Sequence, residues 1–87
     1  MNAVVTVVGK DMVGILAKVS GACAASNANV LEVTQSILQG YFAMIMIIDI
    51  SAANCAVEEL QNRLKTAVPE MEIHVMHEDI FNSMHKI

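Results

Sequence analysis

The segment Tyr41 to Ile50 constrains this chain more than any other. Read as an extended strand, it places Phe42, Met44, Met46 and Ile48 on one face and Ala43, Ile45 and Ile47 on the other. Both faces are apolar, so the strand needs cover twice, from a second layer of its own domain or from a neighbouring chain. The 87 residues leave room for one domain, which we place at 1–87. A domain of this size buries only about two-thirds of the surface that its unfolded chain exposes. Yet 55% of the residues are hydrophobic and 16% charged, a balance that excludes a disordered chain and points to buried surface beyond the core of one monomer. An oligomer is the expected state.

The same run is too short to cross a bilayer, since Asp49 interrupts it far below the ~20 apolar residues that a spanning helix needs. Val4 to Val8 is too short for a secretory segment and leads directly into Gly9-Lys10-Asp11. A cytoplasmic location with no membrane partner is expected. Cys23 and Cys55 both fall on predicted helix faces, where a thiol packs as a small hydrophobe, and we read them as free. Nine acidic against five basic residues give a formal charge of -4, and no Lys or Arg cluster follows a phosphate backbone. The three aromatics, Tyr41, Phe42 and Phe81, are too few to form stacking platforms for bases. Nucleic acid is not an expected partner.

Asn2 to Val8 is rich in β-branched residues and ends at Gly9, which predicts a buried first strand. Ile15, Leu16, Val19, Ala22 and Cys23 then form one helical stripe, and the helix is expected from about Val13 to Asn27. From Val30 to Leu38 the apolar Leu31, Val33 and Ile37 alternate with Glu32, Thr34 and Ser36, as in a strand with one apolar face. Gln39-Gly40 marks a tight reversal into Tyr41 to Ile50. Ser51 to Asn54 offers an N-cap for a second helix through Val57, Leu60, Leu64 and Ala67 that stops before Pro69, with Glu59 and Arg63 paired on its wet side. Met71 to Met76 reads as a fourth strand. Asp79 is placed as the cap of a tail helix whose Ile80, Phe81, Met84 and Ile87 fold back on the body.

This order is the split βαβ plan, an α+β ferredoxin-like sandwich. It has a four-stranded antiparallel sheet with both main helices on one face, plus the tail helix. The other face, or an edge strand, remains for pairing with another molecule.

The turn after the first strand is the strongest candidate site. Gly9-Lys10-Asp11-Met12-Val13-Gly14 fits G-x-D-x-x-G, in which unpaired amides at a helix start receive an anion and a nearby carboxylate receives a cation. A small zwitterion satisfies both. Gly14 lets a ligand or a second backbone approach closely. The same residues also fit an ordinary helix start, with Asp11 as the cap and Gly14 as a packing residue.

Gly9-Lys10-Asp11-Met12-Val13-Gly14-Ile15-Leu16, then Val19-Ser20 and Asn29-Val30, resembles the ACT-domain pattern. Val33-Thr34-Gln35-Ser36, Phe42-Ala43-Met44 and the ending Ile80-Phe81-x-x-Met84-x-x-Ile87 are similar to a group of stand-alone single-ACT proteins of bacteria and archaea. The resemblance implies a regulatory module of amino-acid metabolism or transcription, in many members binding an amino acid where two domains meet. It implies that Asp11 and Gly14 lie in the ligand turn and that Asn29 opens the second strand facing the ligand. Val13 departs from the pattern, because many members carry proline there, which stiffens the helix start. Gln35, polar among Leu31, Val33 and Ile37, reaches either the ligand or a dimer partner, or is a satisfied polar residue at a strand edge.

Enzymatic readings fare worse. Acylphosphatases share the plan but hold phosphate with an arginine in the first loop, and the sole arginine here, Arg63, lies mid-helix. Metallochaperones of this fold need paired cysteines in that loop. His74 and His77, three apart on a strand, point to opposite faces, and with Glu78, Asp79 and His85 they read as exposed polar residues rather than metal ligands. No cofactor, metal or catalytic residue is expected. The sequence thus predicts a non-enzymatic homodimer that binds an amino-acid-like ligand through Gly9–Gly14, Asn29 and Gln35. The alternative is a ligand-free subunit that docks through its sheet onto a separate enzyme or regulator.

Overall fold

The computed structural model describes residues 1–84. Its elements run β1 (Asn2–Lys10), α1 (Ile15–Ala25), β2 (Asn29–Leu38), β3 (Tyr41–Asp49), α2 (Val57–Ala67), β4 (Glu72–His77) and α3 (Glu78–Met84). The strands form one sheet in the order β2-β3-β1-β4, antiparallel throughout. This is the expected ferredoxin-like arrangement.

The apolar stripes of the helices dictate the layering. Ile15, Val19 and Cys23 of α1 and Leu60 and Leu64 of α2 are buried in one cluster with Ala3, Val5 and Val7 of β1, Phe42, Met44, Met46 and Ile48 of β3, and Ile73 and Val75 of β4. Both helices therefore cover one face of the two central strands. Val4 lies outside that cluster, on the opposite face between Ile47 and Met76, and is still only 1% exposed. The tail helix α3 packs against β1 and β4 at that end. Farther along the same face Val8 is 49% and Ile45 44% exposed. Of the tail residues expected to fold back, Ile80 and Met84 are exposed, Phe81 is half-buried, and Ile87 lies outside the described residues.

Several local expectations are corrected. α1 begins two residues later than predicted because Gly14 takes a left-handed conformation (φ 86°) and is itself the N-cap. The start of α2 is capped by Ala56 without a side-chain hydrogen bond. Asn54 serves α1 instead: its Nδ2 donates to the Ala25 carbonyl at 3.2 Å, and its amide donates to the Ser26 carbonyl at 3.0 Å. These bonds satisfy orphan carbonyls at the helix C-terminus. Cys55 lies in the loop before α2 rather than on a helix. Asp79 sits inside the first turn of α3, which starts at Glu78. Arg63 pairs with Glu59 at 3.2 Å as predicted, but its Nη1 also donates to Ser26 Oγ at 2.9 Å and Asn54 Oδ1 at 2.8 Å. It is a strut between the helices more than a surface charge.

Candidate functional site

The Gly9–Gly14 turn joins the end of β1 to the start of α1, and each of its residues is fixed by a different cause. Gly9 is still in the strand, opposite Phe42, where an added Cβ would come within 2.6 Å of Met71 Sδ. Lys10 ends the strand opposite Tyr41 and is exposed. Asp11 is also exposed, and its amide donates to the Gly40 carbonyl at 2.9 Å. Met12 tucks partly against the core, which anchors the turn from below. Val13, by contrast, is 95% exposed at the crest.

Gly14 completes the turn through its backbone angle, and within the chain nothing crowds it. The nearest heavy atom to an added Cβ is Lys18 Cε at 4.0 Å, so space is ample. The requirement is the backbone angle, which a side chain disfavours. Because Gly14 is the N-cap, Asp11 does not cap α1, and its carboxylate is left facing outward. The first turn of α1 carries no acidic side chain and no side-chain cap. Its amides and the positive end of the helix dipole therefore remain available to an anion. A carboxylate acceptor and a row of amide donors a few residues apart suit the two ends of a zwitterion.

Asn29 is not part of this constellation within one chain. It opens β2 opposite Asp49, which in turn pairs with Asn2, whereas the turn follows Lys10 at the other end of β1. Eight strand steps at ~3.3 Å each separate the two ends by about 26 Å. Gln35 lies midway along β2, opposite Met44, on the helix side of the sheet and exposed. Val33 and Ile37 flank it there, opposite Met46 and Phe42, and a bulge at Leu31 interrupts the register between Val30 and Glu32. Leu31 is 48% and Ile37 59% exposed. The alternation read from the sequence is real, but β2 overhangs the helix layer and its apolar row stays uncovered.

A cleft of about 250 Å³ lined by Ala24, Asn27, Ala28 and Asn29 opens at the Asn29 end. A larger one of about 350 Å³, lined by Met1, Asn2, His77, Glu78 and Asp79, lies at the far end of the sheet from the turn. The Gly9–Gly14 turn lines neither. Register puts His74 opposite Thr6 and His77 opposite Ala3, on the two faces of β4. Among the described residues no group of three His, Cys, Asp or Glu side chains could hold a metal ion, and no helix is long and apolar enough to cross a membrane. Burial pushes the Cys23 thiol up to about 11, away from nucleophilic use. Sequence reading missed Gly40 as a partner of the turn. The Gln39-Gly40 reversal was legible, but nothing in the sequence sets its carbonyl beside Asp11.

Comparison with known proteins agrees with this architecture. A family profile described as ACT domain matches residues 2–78. A UPF0237 protein of Clostridium perfringens is 49% identical, with all of both chains covered. The ACT domain protein from Streptococcus pneumoniae is 32% identical, covers 98% of each chain and superposes with a TM-score of 0.78. A Galdieria sulphuraria protein of solved structure is 34% identical over 86% of this chain with a TM-score of 0.76, and this chain spans 43% of its length.

Proposed function

The chain belongs to the ACT-domain family, a regulatory fold family, and from that membership we propose a non-catalytic module that binds an amino-acid-like ligand at the seam of a homodimer. Asp11 holds the ammonium group and the amides after Gly14 hold the carboxylate, while Asn29 closes the site from the second subunit. The observation that carries this reading is the separation of Asp11 from Asn29 along the sheet. One chain cannot bring them to a small molecule. Antiparallel pairing of β2 with its own copy can: a two-fold axis at Gln35 sets the partner's Glu32 level with Leu38 and Tyr41 and carries its Asn29 past the hairpin tip at Gly40, whose carbonyl holds the Asp11 amide. The same pairing covers Leu31, Val33 and Ile37, the apolar row that one chain leaves exposed. The missing proline at position 13 leaves the turn less rigid, which favours modest affinity.

Titration calorimetry against the standard amino acids tests this reading. Heat is expected with one of them or a small set at millimolar concentration or below, and Asp11→Ala should abolish it while the dimer persists. Absence of heat with all of them contradicts ligand sensing, and an unchanged affinity in Asp11→Ala contradicts the site.

A second reading rests on the exposure of Val8 and Ile45 in the middle of the sheet face away from the helices. That face suits a separate enzyme or regulator docking without a ligand. Ile45→Asp should then break a stoichiometric complex that forms irrespective of added amino acids.

A further inference from the structure

The two outer strands of the sheet are finished differently. β2 has ten residues and one charge, Glu32, and among the described residues no side chain bonds to its outer backbone. Beyond the bulge at Leu31 it runs in regular register from Glu32 to Leu38. β4 has six residues and carries Glu72 and His74, whose side chains meet at 3.2 Å. Its ladder runs only with β1, so an amide bonded elsewhere faces outward. That amide belongs to Val75, and it donates to Gln61 Oε1 at 2.8 Å. Gln61 belongs to α2, so its side chain reaches from the helix layer to the sheet edge and occupies the central one of the outward donors that an incoming strand would use.

An open strand edge templates pairing with another strand. Two identical edges that pair about a two-fold axis close on each other, but a chain with two open edges links through both and grows without limit. We propose that Gln61 shuts the β4 edge, so that pairing between copies of this chain is confined to β2 and assembly stops at two. This rests on the edge-paired dimer proposed above, but the closure of β4 is testable without it.

Gln61→Met keeps the side chain's length and removes its acceptor, and Gln61→Glu keeps an acceptor. Light scattering over a dilution series, with amide exchange at Val75, distinguishes them. Wild type and Gln61→Glu should remain two-chain particles. Gln61→Met should grow beyond two chains as concentration rises, and its Val75 amide should exchange about fivefold faster or more at dilution, as expected for loss of one hydrogen bond. Gln61→Ala is a second acceptor-free variant with the same expectation should Gln61→Met fail to fold. A folded, acceptor-free variant that stays at wild-type size overturns the proposal. A wild type of one chain removes the edge-paired dimer alone, and closure of β4 then predicts that Gln61→Met passes from one chain to two.

Discussion

The amide of Asp11 donates to the carbonyl oxygen of Gly40 at 2.9 Å, joining the β1–α1 turn to the tip of the β2–β3 hairpin. Gln39 and Gly40 both have positive φ there, 53° and 80°, the conformation of a two-residue hairpin turn. The proposed ligand turn and the exposed edge strand are therefore held by one short connection. Whatever settles on the turn also bears on the end of β2.

Two glycines of this region should respond oppositely to alanine. At Gly14 the backbone angle of 86° opposes a side chain although space is free, so Gly14→Ala should cost about 1–2 kcal/mol. For a domain of this size that lowers the melting temperature by roughly 4–8 °C per kcal/mol. Gly21 lies inside α1 with nothing within 4 Å of an added Cβ, so Gly21→Ala should stabilise by about 0.5–1 kcal/mol. Urea unfolding of both variants checks the contrast.

Arg63→Ala should be among the more damaging single changes near the surface. It leaves the hydroxyl of fully buried Ser26 without the guanidinium that donates to it, and it removes a bond to the Asn54 that caps α1. Loss of a partner from a buried polar group costs about 1–3 kcal/mol. Ser26→Ala removes the acceptor instead and should cost less, because Arg63 keeps Asn54 and Glu59. Chemical denaturation of the two variants and their double mutant gives the coupling.

Cys23 and Cys55 should differ in reactivity. Cys23 is fully buried, with its thiol pushed up to about 11 by that burial, and Cys55 is partly exposed. Alkylation near neutral pH should label Cys55 in the folded protein and both residues only after unfolding. Equal labelling rates in the native state would show that α1 does not pack as described.

Asp49 should titrate below its ordinary value of 3.8, because the hydroxyl and the amide of Ser51 both favour the charged carboxylate. A depressed value of this kind stabilises the fold above pH ~4, and the contribution fades as pH falls through the lowered value. NMR titration of the Asp49 carboxyl should give a midpoint below 3.8, and Ser51→Ala should move it back up.

The fold was legible because helix stripes such as Ile15, Val19 and Cys23, and alternations such as Phe42 to Ile48, follow from one-dimensional spacing. Its two-faced third strand also announced unmet burial. Cap assignments were not legible. Asn54 reads as the start of α2, yet it serves the end of α1, a contact set by how the helices pack. The bulge at Leu31 and the reach of Gln61 to Val75 likewise depend on neighbours brought in by the fold. At the site, the sequence pointed to Gly14 but not to its left-handed backbone. It grouped Asp11 with Asn29 without revealing that the sheet holds them apart.

That separation gives the central claim its most direct test. Asp11→Ala and Asn29→Ala are each expected to fold, dimerise and bind no amino acid. Mixed in equal amounts and allowed to exchange subunits, they should regain about a quarter of the wild-type sites, since half the dimers are mixed and each mixed dimer has one site with both residues intact. Calorimetry of the mixture with whichever amino acid binds the wild type should recover that fraction at wild-type affinity. Subunit exchange with no recovery of binding would contradict a site shared across the seam.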